Sequence, residues 1–120
     1  MAERSTLVAL GALNGAIAVA AGAFGAHGLR EKLEPRMLEI FETAARYQMY
    51  HALAIVLCGL LATRGSTQAG WLFQIGIIIF SGSLYALSLS GAKVLGAITP
   101  IGGLALIAGW AWLAWTAWRG

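Results

Sequence analysis

Charge is scarce in this sequence of 120 residues: charged residues make up 11% of the chain, and all five acidic residues are glutamates. An ordinary soluble protein contains roughly 25% charged residues. Hydrophobic residues account for 59%, which is more apolar side chain than a soluble fold of this size can bury. The composition therefore excludes an ordinary soluble domain and indicates a membrane protein.

Cysteine and clustered basic charge are also scarce. The single cysteine, Cys58, excludes an intramolecular disulfide, and a lone cysteine in an apolar run is most often a small hydrophobic side chain. The net charge of +3 comes from basic residues scattered along the chain, whereas a nucleic-acid interface needs a clustered basic face. We therefore expect no nucleic-acid partner.

The few charges leave four long uncharged runs, at 6–29, 47–63, 65–92 and 94–118. Crossing a hydrocarbon core of about 30 Å takes roughly 20 helical residues, and backbone groups in lipid must pair within the chain, which favours helices. The sequence predicts a single all-α membrane domain over 1–120, a four-transmembrane-helix bundle. We place the spans at about 6–28, 47–63, 70–90 and 94–118, with a kink near Pro100 in the last.

The segment 35–46 predicts an interfacial amphipathic helix that leads into the second span without a break. Pro35 suits the first turn of a helix, where its missing N–H has no partner to lose. Glu42 and Arg46 are four residues apart in the acid-first order that favours an ion pair.

Four spans put both termini on one side of the membrane. Three basic residues lie on that side, and five lie on the other: Arg30, Lys32, Arg36, Arg46 and Lys93. Because cytoplasmic loops carry an excess of lysine and arginine, we expect the long 29–46 connection to be cytoplasmic.

Small residues dominate the first span. Gly11, Gly15, Ala18, Gly22 and Gly25 are spaced four, three, four and three residues apart and form one seam. A second small face comprises Ala12, Ala16, Ala20, Ala23 and His27. Small residues allow helix backbones to approach closely in lipid, so we predict that span one packs on two neighbours at the centre of the bundle. Asn14 is expected to form interhelical hydrogen bonds.

Two histidines suggest a candidate polar site. His27 lies near the end of span one and His51 near the start of span two, so we estimate similar depths on the side of the long connection. Gln48 and Ser88 fall near that depth, and ionisable residues inside a membrane often mark function. Two interpretations stay open: a ligand-binding cluster of His27, Gln48, His51 and Ser88, or hydrogen-bonded packing residues. Span three adds a polar stripe of Gln74, Ser81, Tyr85 and Ser88.

The sequence contains too few candidate ligands and carboxylates for a metal site or an active site. A zinc site needs three or four ligands, and the chain has one cysteine and no carboxylate within a span. Two histidines on adjacent helices could ligate a haem, but nothing else favours one. We predict no catalytic residue, metal or cofactor.

Two motifs carry a resemblance: Gly22-Ala-Phe-Gly-Ala-His-Gly28, and Phe41-Glu-Thr-Ala-Ala-Arg-Tyr-Gln-Met-Tyr-His-Ala-Leu53. In combination they resemble the YgdD/YwdK-type membrane proteins, a family of unknown function. The resemblance implies a small multi-pass protein, located in bacteria in the cytoplasmic (inner) membrane. It supplies no catalytic residue.

We therefore expect a non-enzymatic protein, surrounded by membrane lipid, that acts as an accessory or assembly partner or as a homo-oligomer. The alternative is a binder or carrier of a small or lipid-like molecule through His27 and His51. A membrane enzyme would need a nucleophile or metal set that the sequence does not contain.

Overall fold

The computed structural model describes residues 2–61 and 63–120, which form four long helices. These are α1 (Ala2–His27), α2 (Pro35–Leu60), α3 (Ser66–Ser90) and α4 (Thr99–Arg119), and a short 3-10 helix (Lys93–Ala97) precedes α4. No residue in those two ranges lies in a strand, so the predicted all-α fold is confirmed. Met1 and Ala62 lie outside the described residues. Both belong to the predicted domain 1–120, and Ala62 also belongs to the predicted second span.

Within the described residues, three stretches are long and apolar enough to cross a membrane: Glu3–His27, Ser66–Ser90 and Lys93–Arg119. They correspond to the first, third and fourth predicted spans. In α2 the apolar half begins with Arg46, Gln48 and His51, which lower its mean hydropathy. The molecule is 48 Å long, close to the ~40–45 Å thickness of a bilayer with its headgroups.

Helix α2 begins at Pro35, as predicted, and runs unbroken to Leu60. Glu34, just before the proline, is extended, the conformation that a following proline favours. At the other end Arg4 donates to the carbonyls of Gly59 at 3.1 Å and Leu60 at 2.8 Å. These carbonyls have no partner within their own helix, so Arg4 ties the start of α1 to the end of α2.

Two local predictions are wrong. Arg46 donates to the Thr43 hydroxyl at 3.3 Å, and among the described residues it forms no ion pair with Glu42. Pro100 does not kink a helix, because α4 begins at Thr99. The proline therefore lies in the first turn, where it fits, and the predicted span 94–118 is divided between the 3-10 helix and α4.

Helices α2 and α3 form the centre of the bundle, with α1 packed mainly on α2 and α4 mainly on α3. The buried core comprises Leu7, Ala54, Ile55, Cys58, Ala69, Phe73, Ile77 and Leu106. The prediction that span one is central is therefore wrong: α1 is a flanking helix.

Only part of the predicted glycine seam on α1 faces α2. Its buried members are Gly11, Ala18 and Gly25, together with Asn14. A Cβ atom on Gly11 would lie 2.8 Å from the Ala52 carbonyl oxygen, so the two backbones approach closely there. A Cβ atom on Gly15 or Gly22 would meet no described atom of a neighbour within 4 Å. Within the described chain Gly15 and Gly22 are therefore not contact positions, contrary to the prediction.

The second small-residue face of α1 is exposed over its whole length. Its members are Ala12, Ala16, Ala20, Ala23 and His27. We call this face, together with Gly15 and Gly22, the open side of α1, and the surface that contains Gly11, Asn14, Ala18 and Gly25 the contact side.

Candidate functional site

Four side chains form a continuous row of hydrogen bonds between three helices. The Tyr85 hydroxyl donates to Gln48 Oε1 at 2.8 Å, and Gln48 Nε2 donates to Asn14 Oδ1 at 3.0 Å. Asn14 Nδ2 donates to Gln74 Oε1 at 2.7 Å and to the Leu10 carbonyl at 2.9 Å. We call Asn14, Gln48, Gln74 and Tyr85 the polar chain. It links α1, α2 and α3.

The polar chain lies deep within the helices. Asn14 is twelve residues into α1, which is about 18 Å by helical rise. Gln48 is opposite Asn14 because α1 and α2 are antiparallel neighbours. An unpaired polar group costs most in such surroundings, and Asn14 and Gln48 are both buried and paired. The Ser81 hydroxyl, on the same stripe of α3, donates to the Ala44 carbonyl at 2.8 Å and extends the polar surface.

A cleft of about 360 Å³ opens beside the polar chain, between α1 and α3. Its lining residues are Leu10, Leu13, Asn14, Ile17, Gln48, Gln74, Ile77, Ile78, Ser81, Gly82 and Tyr85. The rim side chains of Leu13, Ile17 and Ile78 are 56%, 46% and 63% exposed. The cleft therefore faces sideways, toward what would be lipid, and no charged residue lines it.

An apolar groove continues from the cleft. Ile17 and Tyr85 line both cavities, and the groove, of about 440 Å³, is completed by Ala20, Ala21, Phe24, Phe41 and Leu89. It extends toward the ends of α1 and α3 and the start of α2. Together the cleft and the groove offer hydrogen-bonding groups along the first and an open apolar surface along the second.

His51 forms a separate, closed cluster. Its Nδ1 lies 2.8 Å from the Tyr47 carbonyl, and Trp110 Nε1 donates to its Nε2 at 3.0 Å. Because an indole N–H can only donate, Nε2 carries no proton and His51 is the neutral tautomer protonated on Nδ1. The ring also packs against Phe73, with centroids 5.5 Å apart. Both ring nitrogens are engaged, so ligation of a metal or haem would require Trp110 to leave.

His27 does not lie near His51. His27 is exposed at the end of α1, where Gly25 contacts Phe41. His51 is ten residues farther along α2 than Phe41, about 15 Å by helical rise. The structure does not bring the two histidines together. The expectation that they lie at similar depths is therefore wrong.

The other two candidates also differ in surroundings. Gln48 belongs to the polar chain, whereas the Ser88 hydroxyl donates to the Tyr85 carbonyl within α3 at 2.9 Å. Sequence reasoning missed Trp110 as the partner of His51, and it treated Asn14 and the Gln74–Tyr85 stripe as separate packing features. The stripe itself was the signal, because it puts Gln74 and Tyr85 on the same face as Ser81.

No set of three or more histidine, cysteine, aspartate or glutamate side chains is arranged to hold a metal ion in the described part of the chain.

Comparison with known proteins places the sequence among uncharacterised membrane proteins. Residues 21–103 match a family described as "Protein of unknown function (DUF423)". The chain is 52% identical over 106 residues to a UPF0382 membrane protein of Staphylococcus epidermidis and 53% identical over 106 residues to UPF0382 membrane protein SAB0533 of Staphylococcus aureus. It is 48% identical over 108 residues to UPF0382 membrane protein YwdK of Bacillus subtilis. These alignments cover 86% of this chain and 87–88% of each relative. No solved structure matches.

Proposed function

This chain belongs to the DUF423 family of membrane proteins of unknown function, and we propose that it binds a small lipid-soluble molecule in the cleft between α1 and α3. The observation that supports this is a row of polar side chains at mid-helix depth beside a cleft that faces lipid. Polar groups at such depth usually line a pathway or a binding site, or join helices. The proposal keeps the binding hypothesis drawn from His27 and His51 but transfers it to other residues. It involves no chemical step, metal or cofactor.

The binding proposal assumes that all four helices cross the bilayer, with α2 as the fourth crossing. Helix α2 accompanies α1 over most of its length, from the contact between Phe41 and Gly25 to the contact between Gly59 and Arg4. A helix that lies antiparallel beside a spanning helix covers the same depth. The distribution of basic residues favours a cytoplasmic 29–46 connection, in the cytoplasmic membrane of a bacterium.

Cysteine labelling tests this topology. In a Cys58→Ala background, single cysteines at positions 2 and 120 should react with an impermeant reagent from the same side, and cysteines at 31 and 93 from the opposite side. Termini that react from opposite sides would contradict four crossings.

Occupancy of the cleft can be tested with a matched pair of glycine variants. A Cβ atom on Gly82, which lines the cleft, and one on Gly22, which does not, would each meet no neighbouring atom within 4 Å among the described residues. Gly82→Leu should therefore add bulk to the cleft with no clash at its Cβ atom, and Gly22→Leu controls for added bulk on a helix surface.

The proteins would be extracted directly into lipid nanodiscs and their bound small molecules measured by mass spectrometry. We expect a compound enriched with the wild type and Gly22→Leu, and depleted at least about tenfold with Gly82→Leu, the change that corresponds to 1.4 kcal/mol. The same profile for all three proteins would contradict the binding function.

A second candidate function is self-association, or docking on a membrane-protein partner, through the open side of α1. The observation that favours it is the exposed row of Ala12, Ala16, Ala20 and Ala23, because small residues are enriched where membrane helices meet. In the Cys58→Ala background, Ala16→Cys should form disulfide-linked dimers when isolated membranes are treated with an oxidant. Ala108→Cys on the exposed face of α4 should not. Equal cross-linking at the two positions would contradict self-association through this side.

A further inference from the structure

The hydrogen-bond directions in the polar chain are determined from one end to the other. The Leu10 carbonyl can only accept, so Asn14 must direct Nδ2 toward it, and the second N–H of that nitrogen is directed at Gln74. Asn14 Oδ1 then accepts from Gln48 Nε2, and Gln48 Oε1 accepts from the Tyr85 hydroxyl. The partners therefore determine which end of each amide is the oxygen and which is the nitrogen.

This directionality leaves Gln74 with its nitrogen unused. Gln74 Oε1 accepts from Asn14, so Nε2 faces away from Asn14 with two N–H donors. Within residues 2–61 and 63–120 Nε2 has no hydrogen-bond acceptor. It is also not sealed inside the protein, because over those ranges every fully buried side-chain nitrogen and oxygen is paired. Gln74 lines the cleft, and the cleft is therefore the place where a bound molecule could meet these free donors.

An unpaired donor pair is expensive at this depth. Gln74 is eight residues into α3, about 12 Å by helical rise, and amide N–H groups in hydrocarbon without an acceptor cost several kcal/mol. The cleft offers donors but no cation and no anion among its lining residues. A charged occupant would have no counter-charge there, so the occupant that fits is neutral and supplies an acceptor.

We infer that the cleft takes a neutral lipid-soluble molecule with a carbonyl-type oxygen, which accepts from Gln74 Nε2 while its apolar body lies in the adjoining groove. The groove lined by Ala20, Phe24, Phe41 and Leu89 starts at Ile17 and Tyr85, which also line the cleft, so an apolar chain that runs along the cleft from Gln74 can continue into the groove. This inference rests on the proposed binding function. The carbonyl could belong to a quinone or to an acyl ester, and both offer the same acceptor.

The experiment uses the full chain in nanodiscs and a benzophenone with a decyl chain as the probe. Its ketone accepts hydrogen bonds and cross-links to nearby C–H groups on illumination. Three competitors carry a ten-carbon chain: decylbenzoquinone, ethyl decanoate and decylbenzene, which has no oxygen. We expect cross-links on cleft residues such as Leu13 and Ile78. The quinone, the ester or both should compete at least about tenfold better than decylbenzene, as one hydrogen bond formed in the complex allows.

Gln74→Met removes the donors at similar side-chain length, and Gln68→Met is the matched control on the exposed surface of α3. The preference for the oxygen-bearing competitors should be lost in Gln74→Met and retained in Gln68→Met. If Gln74→Met does not fold, the competition ratio in the wild type still decides the question.

The outcomes distinguish a failure of the carbonyl inference from a failure of the binding function. If decylbenzene competes as well as the quinone and the ester in the wild type, or if a folded Gln74→Met keeps the preference, the carbonyl inference is overturned while binding itself stands. Labelling of Gly82→Leu that equals that of the wild type overturns the binding function together with the inference. The competitor that is preferred identifies whether a quinone or an acyl ester is the source of the carbonyl.

Discussion

The two sides of α1 are built from the same kinds of small residue, yet in the described chain only one of them packs closely on α2. The contact side brings Gly11 against the backbone of α2 and Asn14 into hydrogen bonds with Gln48 and Gln74. The open side has glycines and alanines in a similar periodic arrangement and meets nothing in the described chain at Gly15 and Gly22. Spacing alone therefore does not distinguish a contact from an exposed face.

What distinguishes the two sides is the polar residue. At 100° per residue, Gly15 and Gly22 lie roughly 20–40° from Gly11 on the flank away from Asn14. Helix α2 packs on the flank that includes Asn14, because an amide in lipid requires partners and Gln48 supplies one. The buried half of this small-residue surface is thus the half that carries an amide with partners on α2 and α3.

The largest expected effect comes from adding bulk to the contact side. Gly11→Leu should lower the free energy of unfolding by about 3 kcal/mol, the upper end for overpacking, because its Cβ would lie 2.8 Å from Val56 N and from the Ala52 carbonyl oxygen. The measurement is unfolding in mixed micelles with increasing SDS, followed by circular dichroism.

Gly15→Leu and Gly22→Leu are the matched controls, since they add the same side chain to the same helix. Both should change the free energy of unfolding by less than about 0.5 kcal/mol, as substitutions away from contacts usually do. Destabilisation as large as that of Gly11→Leu would mean that the whole seam is a contact.

A smaller effect is expected from removing the amide on the contact side. Asn14→Leu leaves Gln48 Nε2 and Gln74 Oε1 without partners and should cost about 2 kcal/mol. Ala12→Leu on the open side should cost little. A double-mutant cycle with Gln48→Leu should give a coupling of about 1 kcal/mol, within the range for residues in one network. Additive effects would show that the two amides do not interact.

Much of the fold could be predicted because charge marks where helices cannot enter lipid. The uncharged runs anticipated α1 and α3, Pro35 anticipated the start of α2, and the two motifs anticipated the family, which is confirmed. The division at Ile98 was missed because the run 94–118 contains no charge, and hydropathy does not distinguish a 3-10 turn from an α-helix.

The site was harder to predict, because depth and rotation depend on neighbours. Counting inward from Arg46 put Gln48 near a surface, whereas its hydrogen bond to Asn14 sets it deep in the helices. The partner of His51 depends on how α4 rotates against α3, and Trp110 gives no sign of this because tryptophan near a membrane interface is typical of anchoring. The polar stripe of α3 was visible in the sequence, but its unpaired amide nitrogen follows only from the hydrogen-bond directions.

The smallest expected effect is the coupling between the two histidines. His27 belongs to the open side of α1 and is exposed, whereas His51 is buried and accepts from Trp110. His51→Ala should lower the free energy of unfolding by about 1.5 kcal/mol, because Trp110 loses its acceptor and the ring contact with Phe73 disappears, and His27→Ala by less than about 0.5 kcal/mol. Because the residues are about 15 Å apart along the helices, the destabilisation of the double variant should equal the sum of the two single effects within about 0.3–0.5 kcal/mol.

The cycle of His51→Ala with Trp110→Phe is the positive control, and its coupling should fall near the 0.6–1.7 kcal/mol measured for hydrogen bonds between membrane helices. Coupling of that size between His27 and His51 would instead mean that the open side of α1 closes onto α2 in the membrane, and the contrast between the two sides would fail.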